Sequence, residues 1–180
     1  MDTKIYITAN DYLRDTFRLA RKILDSNWVP DELIALWRGG APVGVGLHEF
    51  FKYSGYAVNH HVVKCCSYTG IAQRRNCVDF EESGSLFDRI EAGRRVLIVD
   101  DVFDTGKTMQ AVCRRLAGTG ASVKVATVYW KPASNQTDFR PDFYLRETDE
   151  WIVFPHEMEG LTPEEIRHKD PELYALLKRD

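Results

Sequence analysis

The sequence has no apolar run near the roughly 20 residues that a membrane-spanning helix requires. Its opening, MDTKIYITAND, has neither the basic segment nor the apolar segment that directs export, so the expectation is a cytoplasmic protein that meets no membrane. Cysteine is scarce. Cys65, Cys66, Cys77 and Cys113 form no C-x-x-C pair, which argues against structural zinc and for idle thiols in a reducing compartment. Basic charge is not in excess: 24 Lys and Arg stand against 27 Asp and Glu, a net charge of −3, so the electrostatic footprint of a nucleic-acid binder is missing. There is no internal repeat, low-complexity tract or Ser/Gly linker, and 180 residues suit a single well-filled domain.

What the chain does have is an alternation of short apolar runs with amphipathic stretches. The first stretch places Leu13, Phe17, Ala20 and Leu24 on one helical face, behind Asn10 or Asp11 as a cap. ELIALW (32–37) reads as a strand, Arg38-Gly39-Gly40 as a loop, and Pro42 suits the first turn of a helix running through VGVGLHEFFKY. AVNHHVVKCCSY (57–68) reads as a second strand, and 69–88 as a polar, irregular, mobile segment. RRVLIV (94–99) has the continuous branched-apolar character of a strand covered on both faces. The helix after it carries Met109, Val112, Cys113 and Leu116, and Gly118 and Gly120 close it. SVKVATVYW (122–130) and WIVF (151–154) supply further strands. Two proline-initiated helices are expected after Thr162 and Asp170. The alternation predicts an α/β fold, a mostly parallel twisted sheet flanked by helices on both faces, with ligand outside the carboxyl ends of the strands.

The stretch VDDVFDTGKT, from Val99 to Thr108, concentrates chemistry at one strand-to-helix junction. Its Gly-Lys-Thr ending is that of a phosphate-binding P-loop, but the glycine such a loop needs five positions earlier is missing and Asp101 stands there. Nucleotide hydrolysis of that type is therefore excluded. Each residue has a role if the ligand is a phosphorylated sugar. Asp104, Thr105, Gly106, Lys107 and Thr108 sit where free amides at a helix start wrap a phosphate. Asp100 and Asp101 would accept hydrogen bonds from sugar hydroxyls and hold a divalent ion. Taken alone, a pair of aspartates is more often a solvated helix cap, and Arg-Gly-Gly an ordinary turn.

Together these residues resemble the phosphoribosyl pyrophosphate (PRPP) motif of the type I phosphoribosyltransferases, purine branch, which includes the xanthine-guanine and hypoxanthine-guanine enzymes. The resemblance runs from about Lys4 to Met158. It implies a phosphoribosyltransferase domain at 1–158, with a small hood from the terminal segments, and a helical extension at 159–180 packed on it. It also implies transfer of a phosphoribosyl group from PRPP to a 6-oxopurine with Mg2+ as cofactor, in purine salvage, by a homodimer or homotetramer.

The resemblance assigns roles residue by residue. Arg38 and Gly39 of ALWRGGAPVG correspond to the pyrophosphate loop, where the Arg38–Gly39 bond is expected to be cis. Tyr68 and Arg74 of SYTGIAQRR correspond to a mobile lid over PRPP, with Arg75 as the alternative to Arg74. Asp104 is the expected general base near purine N7. Lys131 would meet the exocyclic oxygen, Trp151 would stack on the base and the Ile152 backbone would meet its edge. Asp100, Asp101 and Glu157 are the expected metal carboxylates, although relatives place an aspartate where Glu157 stands. A regulator that senses PRPP without turnover, and a transferase with a non-purine acceptor, are the competing readings.

Overall fold

The computed structural model describes residues 4–67, 78–79 and 84–177. In chain order the elements are β1 (Lys4–Tyr6), α1 (Ala9–Asp25), β2 (Glu32–Trp37), α2 (Gly40–Tyr53), β3 (Asn59–Lys64), β4 (Cys66–Ser67), β5 (Val78–Asp79), α3 (Gly84–Phe87), β6 (Arg95–Phe103), α4 (Lys107–Leu116), β7 (Ser122–Trp130), β8 (Phe143–Glu147), β9 (Trp151–Val153), α5 (Pro163–Lys169) and α6 (Pro171–Leu177). They divide into two compact units, Leu13–Asp149 and the terminal segments Met1–Tyr12 with Glu150–Asp180.

The larger unit is built on a five-stranded parallel sheet in the order β3-β2-β6-β7-β8. Alternate residues of the central strands face opposite layers, as the two-residue strand period demands. Leu33, Ala35 and Val99 face α2, whose Gly44 lies so close that a Cβ there would fall 2.7 Å from Ala35 Cβ. Ile34, Leu36, Val96 and Ile98 belong to the other layer, packed with Phe87, Met109, Val112 and Leu116. Burying a Leu, Ile or Phe completely contributes about 1.5–3 kcal/mol, so these two layers hold the sheet ends in place. The Cys113 thiol is pushed up to about 12 by burial, with the Asp142 charge adding to it, consistent with a packing role.

Helix α1 is amphipathic as expected, but its buried face is shifted from the expected one. Its inward residues are Tyr12, Asp15, Thr16, Leu19, Ala20 and Ile23, while Leu13 is 48% exposed. The stripe is rotated because Asp15, only 2% exposed, is buried as an ion partner of Arg146 (2.7 Å) and Arg18 (2.8 Å). The helix begins at Ala9, behind Thr8 rather than Asn10 or Asp11; Asp11 N donates to Thr8 Oγ1 at 3.1 Å. The strand expected at 57–68 is broken at Cys65 into β3 and β4. Of the aromatic residues in α2, Phe51 is core whereas Tyr53 is 94% exposed.

In the smaller unit β1 pairs with β9 in parallel, Ile5 opposite Ile152. The two expected C-terminal helices are present. Thr162 and Glu165 form a reciprocal capping box at the start of α5, and Asp170 Oδ1 accepts from Glu172 N and Leu173 N at the start of α6. Helix α5 is held to β1 by the Lys4–Glu165 ion pair (2.5 Å) and by the Tyr6 and His168 rings, 5.1 Å apart. No helix among the described residues is long and apolar enough to cross a membrane.

Candidate active site

The order β3-β2-β6 means that the chain leaves β2 in one direction to form β3 and later returns to lay β6 on its other side. In parallel sheets that reversal opens a crevice at the carboxyl ends of the two strands. Pairing of β2 with β6 runs from Glu32–Val96 to Ala35–Val99, and beyond it lie the Arg38-Gly39-Gly40 loop on one side and Asp100 onward on the other. The switch point therefore brings together the two segments singled out in the sequence.

They are in tight contact. A Cβ at Gly39 would fall 2.2 Å from Asp101 Oδ2, and one at Gly40 would fall 2.3 Å from Val99 O. Only hydrogen at these positions lets the loop lie on the end of β6. The loop carries a cis peptide bond at Trp37–Arg38, one bond earlier than the expected Arg38–Gly39.

Strand β6 runs four residues past the apolar stretch, through Asp100 and Asp101 to Phe103, because β7 continues to pair with it up to Phe103–Trp130. Asp101 is buried, 8% exposed, with Oδ1 accepting from Val102 N at 2.7 Å; Asp100 Oδ1 accepts from Asp101 N at 3.0 Å. Burial and the adjacent Asp101 carboxylate hold the Asp100 carboxyl well above the usual carboxylate range, with the Asp101 and Gly40 amides opposing. A half-buried pair of acids of this kind is a poor structural element and a fitting ligand for hydroxyls or a cation.

The turn after β6 is fixed from outside. Gly106 has φ +78°, a left-handed conformation, and a Cβ there would fall 2.5 Å from Thr137 Oγ1 and 2.9 Å from Asn135 Oδ1. Asn135 braces this wall by accepting from Thr137 N (3.0 Å) and donating to Phe139 O (2.8 Å). Gln136 N donates to Thr105 O at 3.0 Å, and Lys131 N to Phe103 O at 2.9 Å. The first bond that closes α4 is Gln110 N to Gly106 O at 2.9 Å. The amides of Lys107, Thr108 and Met109 therefore have no acceptor within the helix, the arrangement that binds anions. Asp104 and Lys107 are exposed and Thr105 and Thr108 half-buried around this turn. The bracing Asn135-Gln136-Thr137 turn was not singled out from the sequence, although Asn and Thr two residues apart are its ordinary signal.

In the terminal unit, Trp151 is 58% exposed while Ile152 is buried in β9. Glu157 turns back on its own strand, Oε2 accepting from Phe154 N at 3.1 Å. Tyr68, Arg74 and Arg75 lie outside the described residues. Among the described residues no group of three or more His, Cys, Asp or Glu could hold a metal. Asp100 and Asp101 instead fit Mg2+, which keeps several waters and takes one or two carboxylates together with substrate oxygens.

The chain matches the phosphoribosyl transferase domain over residues 7–161 and belongs to that family. Its likeness within the family is to purine enzymes. It is 29% identical to the xanthine-guanine phosphoribosyltransferase of Idiomarina loihiensis over 158 residues, 86% of this chain and 88% of that one. A purine phosphoribosyltransferase structure from Pyrococcus horikoshii is 30% identical, with a TM-score of 0.70 over 88% of this chain and 97% of that one. The match to the hypoxanthine-guanine phosphoribosyltransferase of Lactococcus lactis is confined to 56 residues, 31% of either chain, at 38% identity. A Neisseria gonorrhoeae protein solved with bound ppGpp shares the fold, with a TM-score of 0.76 at 23% identity over 96% of this chain and 98% of that one. The fold, the switch-point site and these relatives together define a transferase of the type I class, purine branch.

Proposed function

We propose that this protein transfers the 5-phosphoribosyl group of PRPP to the ring nitrogen of a 6-oxopurine, xanthine, guanine or hypoxanthine, releasing pyrophosphate, as a step of purine salvage. The observation that carries the reading is the packing of the Gly39-Gly40 loop on the end of β6, beside the half-buried Asp100 and buried Asp101 and a turn of helix amides with no acceptor within the helix. A diphosphate, ribose hydroxyls and a terminal phosphate are the three chemical groups these features suit.

On this reading the amides from Thr105 to Thr108 hold the 5′-phosphate, with the Thr105 and Thr108 hydroxyls donating further bonds. Asp100 and Asp101 orient the ribose hydroxyls. Arg38, the loop amides and Arg74 hold the pyrophosphate, and Tyr68 shields the reacting centre. Asp100 and Asp101 would hold Mg2+, which would supply charge neutralisation for the leaving diphosphate. As the bond from ribose C1 to pyrophosphate lengthens, positive charge grows on the ring and negative charge on the diphosphate, and these groups stabilise both. Asp104 accepts the proton near purine N7. Lys131 donates to the exocyclic oxygen, and Trp151 stacks on the base, whose edge meets the Ile152 backbone. The exposed Trp151 ring favours a planar acceptor over a non-aromatic one. Exposed Val45, Tyr53 and Val62 favour self-association as a homodimer or homotetramer.

The test is to mix the protein with PRPP, Mg2+ and each of xanthine, guanine, hypoxanthine, adenine, uracil and orotate, and to separate nucleotide and pyrophosphate from the reactants. Nucleotide formed from 6-oxopurines alone is the expected result. PRPP binding with no pyrophosphate released from any base would replace the proposal with a non-catalytic PRPP sensor.

A further inference from the structure

The segment between β7 and β8 is fastened to the phosphate turn on both sides of Gly106. Before Gly106, Lys131 N donates to Phe103 O at 2.9 Å and Gln136 N to Thr105 O at 3.0 Å, while the Phe103 and Phe139 rings stack with centroids 6.2 Å apart. After it, Gln110 Nε2 on α4 donates to Asp138 Oδ1 at 3.2 Å. One side chain in turn closes the segment. Asn135 Oδ1 accepts from Thr137 N (3.0 Å) and Thr137 Oγ1 (2.9 Å), and Asn135 Nδ2 donates to Phe139 O (2.8 Å). Asn135 and Thr137 are both half-buried against the turn.

The bond to Thr105 O fixes the next amide as well. A trans peptide is planar and sets its C=O and N–H in opposite directions. With Thr105 O held on Gln136 N, the Gly106 N–H points away from the segment, toward the side of the turn that the segment leaves open for an anion. Rotation of this peptide is blocked from outside, because Thr137 Oγ1 and Asn135 Oδ1 stand 2.5 and 2.9 Å from where a Gly106 Cβ would be. We propose that Asn135 is a positioning residue for the 5′-phosphate of PRPP: by closing the turn from Asn135 to Phe139 it keeps Gln136 N on Thr105 O and so aims the Gly106 amide at the phosphoryl group. The proposal rests on the phosphate-turn reading given above.

The experiment measures the binding of ribose 5-phosphate, and separately of pyrophosphate with Mg2+, by calorimetry in the wild type, Asn135→Ala, Asn135→Ser and Thr137→Val. Asn135→Ala should weaken ribose 5-phosphate about tenfold, the worth of one hydrogen bond to a charged group. Pyrophosphate, which meets the Arg38 loop instead, should stay within about twofold. Asn135→Ser, whose hydroxyl can still accept from Thr137 N, should recover part of the loss. Unchanged affinity for ribose 5-phosphate in Asn135→Ala, or an equal loss for both ligands, overturns the proposal; the equal loss is what a merely structural asparagine would give. If Asn135→Ala does not fold, Thr137→Val decides: it removes one bond to Asn135 and should weaken ribose 5-phosphate alone, about threefold, and no selective loss overturns the proposal. A wild type that binds pyrophosphate but not ribose 5-phosphate overturns the phosphate-turn reading instead, so the two failures are distinguishable.

Discussion

Replacing Gly40 by alanine tests the contact on which the site is built. The added Cβ would lie 2.3 Å from Val99 O and 3.1 Å from Asp100 Cα. An ordinary carbon contact is about 3.5 Å, so one side must give by about 1 Å. Val99 is fully buried in β6 between two paired strands and cannot yield; Gly40 is the first residue of α2 and must move, taking Arg38 and Gly39 with it. Overpacking of this kind costs about 1–3 kcal/mol, and at this chain length each kcal/mol lowers the melting temperature by about 2–4 °C. A drop of about 4–8 °C is expected, for a cost near about 2 kcal/mol. A misplacement of about 1 Å at the diphosphate loop should cost about 100-fold in kcat/KM. Gly118, where a Cβ meets nothing within 4 Å, serves as the control, and Gly118→Ala should lie within about 0.5 kcal/mol of the wild type. Circular-dichroism melts and steady-state rates measure both quantities. If Gly40→Ala melts and turns over like the wild type, the loop does not depend on contact with β6 and the reasoning fails.

Three further outcomes are expected. Asp104→Asn should lower kcat by about 10²–10⁴-fold with an unchanged melting temperature; undiminished turnover would remove Asp104 as the base. Asp100→Asn should abolish activity and yet melt higher than the wild type in ligand-free buffer near neutral pH. A carboxyl with its folded pKa raised stabilises the fold only below its unfolded pKa and loses that contribution as pH rises through the folded value. A lower melting temperature in Asp100→Asn would contradict this. Asp15 has the opposite sign: burial raises its pKa, but Arg146 and Arg18 outweigh burial and leave it lowered. Its contribution is present above the unfolded value of about 3.9 and is lost as pH falls through the folded one. Arg146→Met should therefore cost about 2 kcal/mol at neutral pH and progressively less below pH about 4, as followed by urea unfolding across pH; a constant difference would count against the ion pair.

How much of this was legible in the sequence depended on whether the determining contacts were local. Strands ELIALW and SVKVATVYW were readable to the residue, because a run of buried apolar side chains bounded by loops needs no further information. The phosphate turn was readable because its glycine and hydroxyls are contiguous. The end of β6 was not: two aspartates look like a strand terminus, and only pairing with β7 carries the strand to Phe103. The buried face of α1 was misread for the same reason, since Asp15 is inward only by virtue of Arg146, distant in sequence. Strand β8 was not anticipated, and the outer wall of Gly106 arises from tertiary contacts that no local pattern marks. The cis bond falls at Trp37–Arg38, one position from its expected place.

The most direct test of the account is a crystal structure of the protein with PRPP and Mg2+. The 5′-phosphate should lie within hydrogen-bond reach of the Thr105–Thr108 amides, with the ribose hydroxyls on Asp100 and Asp101. Density for the intact sugar diphosphate at any other place, with the turn at Gly106 making no contact with it, would contradict the account.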